Sequence, residues 1–586
     1  MLLKKTSDWL KEPENSGILY FIQRLDELTY PYTLDSYRAS TANVPFLIRE
    51  CLEVVSDHEE HDINPAHIER IWTELETRMA GNFIAANLMR VPWEEYHKTD
   101  LKNIESVRRA LQILSAQLQP IRYLKSCFWH AKTIEPRKLE KADFIAREIV
   151  TTTINCGVEV SYISKTIEDI FFNEATASTP ESIGDLFKKI TPTPEKYEVC
   201  LTVRTDARRI RKNITDIFSF TFSDQPPEGG DELELKEGEA YVTVKEITAP
   251  DPFAALNYAK RTIARLHDLY GLFYHKGSYS IGQEALITHL SPEKTSIKVR
   301  SNTNNMEFIR DNRRGYADRK LEGLIKKVKL PTGKDAEKFF RVVDFHGMSL
   351  GSKIHENQLI NLWTSLETIA PSQKGKSIIG SVVDGVIPFI GLQYFERIFT
   401  SLTRDLKRWD DTRLKSVLAN SGIDKDLSSP EKVFCLAVMP QHDAACTELL
   451  SHMNDFPLLR NRVFTLSEKS KTGKKLHSWL ESHQTRVEQQ IFRIYRARNS
   501  IVHSASNTTT IGNLIVSSHD YFDQVFELSS EMCSKPYGFS NYTDCFNFCK
   551  LLYDKYKDDI KEIEDVEISH VRKIIWKYSN LNGDVF

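Results

Sequence analysis

Residues 491–505 read IFRIYRARNSIVHSA, and the rest of the chain is organised around them. Val487, Ile491, Ile494, Tyr495, Ile501 and Val502 recur at three- and four-residue spacing, which predicts one amphipathic helix. Within it Asn499 and His503 are four residues apart, one turn on and roughly 40° round from each other. Arg498 lies about 140° round from His503, yet a long guanidinium stem can curl back toward the same rim. The predicted helix thus presents an imidazole, an amide and a fixed cation together. That trio suits phosphodiester chemistry without a metal, because imidazole moves protons near neutral pH and guanidinium clamps phosphate oxygens in a bidentate way. Arg486, Arg493, Arg496 and Arg498 fall within thirteen residues and predict a local positive field. The plainer alternative is a helix edge with a satisfied structural histidine.

Composition bounds the setting. At 586 residues the chain is expected to form several domains, and its hydrophobic (41%) and charged (27%) fractions are those of an ordinary globular protein. A net charge of −3 excludes a surface coated in basic residues, so any nucleic-acid site must be local. Nine scattered cysteines with no C-x-x-C predict buried thiols in a reducing, cytoplasmic setting. Cys545 and Cys549, four apart, are expected to be core residues and not zinc ligands. The opening residues lack an apolar core long enough for a signal peptide. Residues 377–395 (SIIGSVVDGVIPFIGLQYF) are apolar but interrupted by Asp384 and Pro388, so a buried helix or hairpin is expected there and no membrane partner.

In chain order, the pattern predicts a mainly α fold with a central α+β module. Residues 1–190 read as mostly helical. Asn64-Pro65 is a good cap ahead of Ile68, Ile71, Trp72, Leu75 and Met79, and further helical patterns cover 106–118 and 143–156. The acidic and histidine-rich run Asp57-His58-Glu59-Glu60-His61-Asp62 lacks metal-ligand spacing and reads as a solvated loop. Residues 195–330 switch period. Tyr197, Val199, Leu201 and Val203 alternate with polar positions as a half-buried strand, a second strand spans 239–247, and shorter ones lie near 277–287 and 296–299. Asp251-Pro252 caps a helix between them. The basic stretch 204–212 reads as a solvated face, with contact to nucleic acid as the alternative. Residues 333–586 are helical again, with patterns at 335–348, 354–369, 393–406, 484–504, 518–533 and 542–563, and with loops at Phe456-Pro457 and 470–475. Gln373-Lys-Gly-Lys-Ser377 ends like a phosphate-binding loop but lacks its first glycine and its leading strand, so that reading is discarded.

The Arg-Asn-x-x-x-His arrangement resembles the R-x4-6-H motif of the HEPN superfamily, helical ribonucleases and nucleotide-binding proteins of prokaryotic defence and toxin systems. Residues 357–370 (NQLINLWTSLETIA) look like the Leu-Trp-x-x-Leu-Glu helix of the ApeA-like branch, and residues 338–350 (KFFRVVDFHGMSL) resemble that branch's first helix. The resemblance covers roughly the last 250 residues and implies a HEPN-like helical bundle. It implies RNA, with tRNA as one target, as the substrate of a composite site in a homodimer, and an abortive-infection effector answering a phage-derived trigger.

On this reading Arg498, Asn499 and His503 are the catalytic residues, and Arg493, Arg496 and Glu367 serve the substrate, Glu367 by orienting Arg498. No metal or cofactor is expected, because the motif holds no carboxylate cluster and no other stretch offers a cation site. Residues 1 to about 330 hold no nucleophile, base and orienting group in one motif and are expected to sense or restrain. The competing class is a non-catalytic HEPN-like module for RNA or nucleotide binding, or for dimerisation.

Overall fold

The computed structural model describes residues 16–61, 66–173, 180–205, 219–227, 233–276, 279–300, 306, 314–327, 334–504, 510–533, 539 and 541–577. It is mainly α-helical, with a single five-stranded antiparallel sheet among the described residues. The N-terminal helices include α1 (Ser16–Thr29), α2 (Val44–His61), α3 (Ala66–Met79) and α4 (Leu139–Asn155). Ile68, Ile71, Trp72, Leu75 and Met79 are all buried on α3, as their spacing requires. The Asn64-Pro65 cap lies outside the described residues. The Asp57–His61 run is not a loop: α2 continues through it, since the apolar residues Cys51, Val54 and Val55 keep one face of the helix buried to its last turns.

The sheet is built from β1 (Glu195–Thr205), β2 (Phe220–Ser223), β3 (Ala240–Ala249), β4 (Tyr279–His289) and β5 (Thr295–Arg300), in the order β2-β3-β1-β4-β5. Helix α5 (Pro252–Gly271) covers one face, where Val199, Leu201 and Val203 meet Val242, Val244, Leu256 and Ile263. Asp251 caps that helix by accepting from the amides of Phe253 and Ala254 at 2.8 and 2.9 Å. The strand expected to be half-buried is the central one, covered on both faces. Cys200 on its other side is buried with Tyr241 and Leu286 under Leu233. Of the basic stretch 204–212 only the first two residues are described, and Arg204 donates to the Glu237 carbonyl.

The C-terminal helices are α6 (Lys334–Gly351), α7 (His355–Ile369), α8 (Ile378–Leu392), α9 (Tyr394–Asn420), α10 (Pro457–Ser470), α11 (Gly473–Ser504), α12 (Ile511–Met532) and α13 (Tyr542–Lys561), with the short helix Ser429–Val438 between α9 and α10. Helix α8 is the apolar segment. Nearly all of it is buried around Pro388, so it forms the core of the bundle. No single described helix is long and apolar enough to cross a membrane, and only α8 and α9 together, bent by 44°, pass that test. In the loop ahead of α8, Lys376 is ion-paired with Asp384 and Ser377 caps the helix through the Gly380 amide. Cys545 and Cys549 are fully buried in α13.

Helix α11 begins eleven residues before the predicted start at 484. Gly473 allows this, because its amide donates to the Ile563 carbonyl at 2.9 Å and a Cβ there would collide with the carbonyls of Ile560 and Ile563.

The two helical regions share one continuous core across the limits expected at 190 and 333, while the sheet module keeps its own. A buried ion network crosses the same seam. Arg462 of α10 makes a two-pronged contact with Glu27 of α1, its Nη2 lying 2.7 Å from Oε2. Arg24 also pairs with Glu27 and reaches Asp143 of α4 at 2.5 Å, which in turn holds Arg147 at 2.9 Å. Burial works against the Glu27 charge, yet Arg462 and Arg24 outweigh it and hold the carboxyl down at about 2.

Candidate functional site

The last three turns of α11 carry the predicted residues. Tyr495 lies against Trp363 of α7 with ring centroids 5.3 Å apart, which fixes how the helix end sits on the bundle. Arg498 is half-buried, and its Nη1 donates to Asn499 Oδ1 at 2.9 Å. Its Nε is buried with no hydrogen-bond partner, and among the described residues no carboxylate ion-pairs with its guanidinium. His503 is exposed in the final turn, beside the exposed Val502. The trio therefore lies beyond Ala497, the last residue of the helix described as buried. It forms an open rim at a helix C-terminus, where the backbone dipole favours positive charge.

The neighbouring arginines have other employment. Arg493 is buried, its Nε 3.1 and 3.0 Å from the two Glu50 oxygens and its Nη2 2.8 Å from Glu74. Arg496 pairs with Glu50 as well. Burial opposes the Glu50 charge, but Arg493 and Arg496 prevail and lower its pKa. The expected role of Arg493 and Arg496 in holding substrate thus meets a physical obstacle. Their charges are spent on α2 and α3, and of the four arginines that predicted a positive field, Arg486 lines the cavity described below and Arg498 stands at the rim. Glu367, expected to orient Arg498, instead accepts from Trp363 Nε1 at 2.8 Å, one turn back on its own helix. It steadies the indole that supports Tyr495, so its influence on the rim is indirect.

Two features escaped the reading along the chain. One is a cavity of about 1480 Å³ between the N-terminal helices, α10, α11 and the start of α12, lined among others by Arg38, Trp479, Arg486 and Gln489. Arg498 and His503 lie outside it. The other is a meeting of His346 on α6 with His519 and Asp523 on α12. The two imidazole Nε2 atoms are 2.9 Å apart, and Asp523 Oδ1 is 3.5 Å from that of His519. Burial first, then the nearby His346, pushes the His519 imidazole down to about 3, and burial lowers His346 too. The expectation that no stretch offers a cation site does not take in this donor set, which joins residues 173 positions apart. The four-residue spacing of His519 and Asp523 on one helix face was the available signal.

No family model, curated protein or solved structure matches the chain. What is established is thus the class of fold, a mainly α protein with a central α+β module, and the geometry of its exposed Arg-Asn-His rim.

Proposed function

We propose that the chain is a metal-independent endoribonuclease of the HEPN type, acting on RNA, tRNA among its targets, as a homodimer. One observation carries the reading. Of Arg493, Arg496 and Arg498, Arg498 alone has no carboxylate partner among the described residues, and it stands on the same helix end as the exposed imidazole. In the proposed step His503 takes the proton of a ribose 2′-OH, and that oxygen attacks the adjacent phosphorus. Arg498 stabilises charge on the non-bridging oxygens. The P–O5′ bond breaks, the 5′-oxygen takes a proton from the imidazole of a second copy, and a 2′,3′-cyclic phosphate remains. Asn499 holds the guanidinium in place.

A dimer is supported by a stripe of exposed apolar residues on α6, Phe340, Val343 and Leu350, with open space at Gly347 among them. The same resemblance extends the proposal to a cytoplasmic abortive-infection effector released by a phage-derived trigger, with residues 1–330 as its restraint. A second reading, a non-catalytic RNA-binding or dimerisation module, gains from the neutralisation of Arg493 and Arg496 by Glu50 and Glu74. Incubating the full chain and its His503→Ala variant with total tRNA separates the two. Cleavage by the first alone supports the enzyme, and binding without cleavage supports the module.

A further inference from the structure

Helices α6 and α12 are joined by aromatic contacts. Phe339 meets Phe526 with centroids 5.6 Å apart, and the His346 ring stacks on Phe522 at 4.9 Å. In the middle of this seam the His346 and His519 rings turn their Nε2 atoms toward each other, at 2.9 Å. Asp523 stands one turn beyond His519 on the same face, and one donor atom from each of the three lies within 4.8 Å of the others. His519 is only 6% exposed, and one atom of it, Nε2, faces both His346 Nε2 and Asp523 Oδ1.

Two imidazole nitrogens and one carboxylate oxygen form a donor set with a recognised preference. Imidazole suits zinc and its neighbours in the first transition row, whereas magnesium and calcium favour oxygen alone. A tetrahedral ion with Zn–N distances of about 2.0–2.1 Å places its nitrogens roughly 3.3 Å apart. The observed separation is within a few tenths of an ångström of that, and the side chains can open by so much through small χ rotations. Asp523 brings a negative charge and half-exposure to solvent, which leaves room for water in a fourth position.

We infer that His346, His519 and Asp523 form a binding site for one divalent transition-metal ion of the zinc class, which clamps α6 to α12. The site is independent of the Arg498–His503 chemistry. It involves other helices, and its ion would act on stability and not on phosphate.

The test is titration of the metal-stripped full chain with Co²⁺ and Zn²⁺, followed by calorimetry, visible absorption and thermal unfolding. One equivalent is expected to bind, with a Co²⁺ spectrum free of thiolate charge transfer and a rise in melting temperature. Asp523→Asn, on a half-exposed side chain that leaves the seam packed, is expected to weaken binding about tenfold or more, and His519→Gln about 100-fold or more. The initial rate of RNA cleavage by Asp523→Asn at 25 °C should equal that of the parent, so the outcome here is separable from that of the ribonuclease proposal. The inference is overturned if no metal binds, if the Co²⁺ spectrum shows thiolate ligands, or if folded Asp523→Asn and His519→Gln bind as the parent does.

Discussion

At the scale of single residues, arginines close together in sequence divide into different roles. Arg493 is a structural cation whose removal strands Glu50 and Glu74 beside Arg496 alone. Arg493→Ala is therefore expected to cost about 3–5 kcal/mol of stability, the price of an unmatched buried charge. Arg498→Ala touches no ion pair among the described residues and should change stability by no more than about 0.5 kcal/mol while removing cleavage. Urea unfolding of the two variants, set beside their activity on tRNA, checks the division; equal destabilisation by both would contradict it. His483 offers a separate check through pH. It is buried against Tyr394, ring centroids 3.7 Å apart, and burial, then Arg486 and Arg397, hold its pKa well below 6.5. Because the folded value is depressed, its contribution to stability is present above pH 6.5 and is lost as pH falls below that. Carboxylates such as Glu27, held at about 2, act lower on the scale. His483→Phe, which keeps the ring stack, is expected to flatten the fall in melting temperature between about pH 6.5 and 5. An unchanged slope would count against the buried neutral ring.

At the scale of elements, what could be read from the chain followed from how local the cause was. Periodicity marked α3, α6, α7, α12 and α13 because each buries a stripe that its own residues write. Asp251-Pro252 announced α5 for the same reason, being a cap contained in two residues. That cap also accepts the Glu159 amide at 2.9 Å, a tie across 92 positions that no local pattern signals. Asp251→Ala is accordingly expected to cost more than an ordinary cap, about 2 kcal/mol or above, since a third, part-buried N–H loses its acceptor with the two of the cap. A loss below about 0.5 kcal/mol in chemical unfolding would show that tie to be slack. The misread start of α11 had a non-local cause as well. Gly473 looks like a loop residue until the carbonyl of Ile563 is seen pressed against it. Likewise the trio of Arg498, Asn499 and His503 was legible as residues, but its position at an exposed helix end depended on where the helix stopped. The partners of Arg493 and Glu367 were illegible, because Glu50, Glu74 and the Trp363 indole are brought in by packing.

At the scale of the whole molecule, the N-terminal helices and the C-terminal bundle are one body in physical terms. The Arg24–Glu27–Arg462 network and the Arg493–Glu50–Glu74 cluster both span the seam, and the apolar core runs through it. Hydrogen exchange should thus find α1, α4, α10 and α11 opening together at the global free energy. Early, separate exchange of α1 and α4 would mean that the seam is weak. A shared core also gives the N-terminal region a direct mechanical hold on α11, through which a trigger could act on the rim. The central claim is that this rim cuts RNA with protein groups alone. The most direct measurement is cleavage of purified tRNA by the full chain in excess chelator, with analysis of the new ends, beside His503→Ala. The account predicts 2′,3′-cyclic phosphate ends, resistant DNA, and a rate about 10²–10⁴-fold lower in the variant. Cleavage that stops with chelator while the chain stays folded, extends to DNA or survives His503→Ala would contradict it and return Arg498 and His503 to the edge of an ordinary helix.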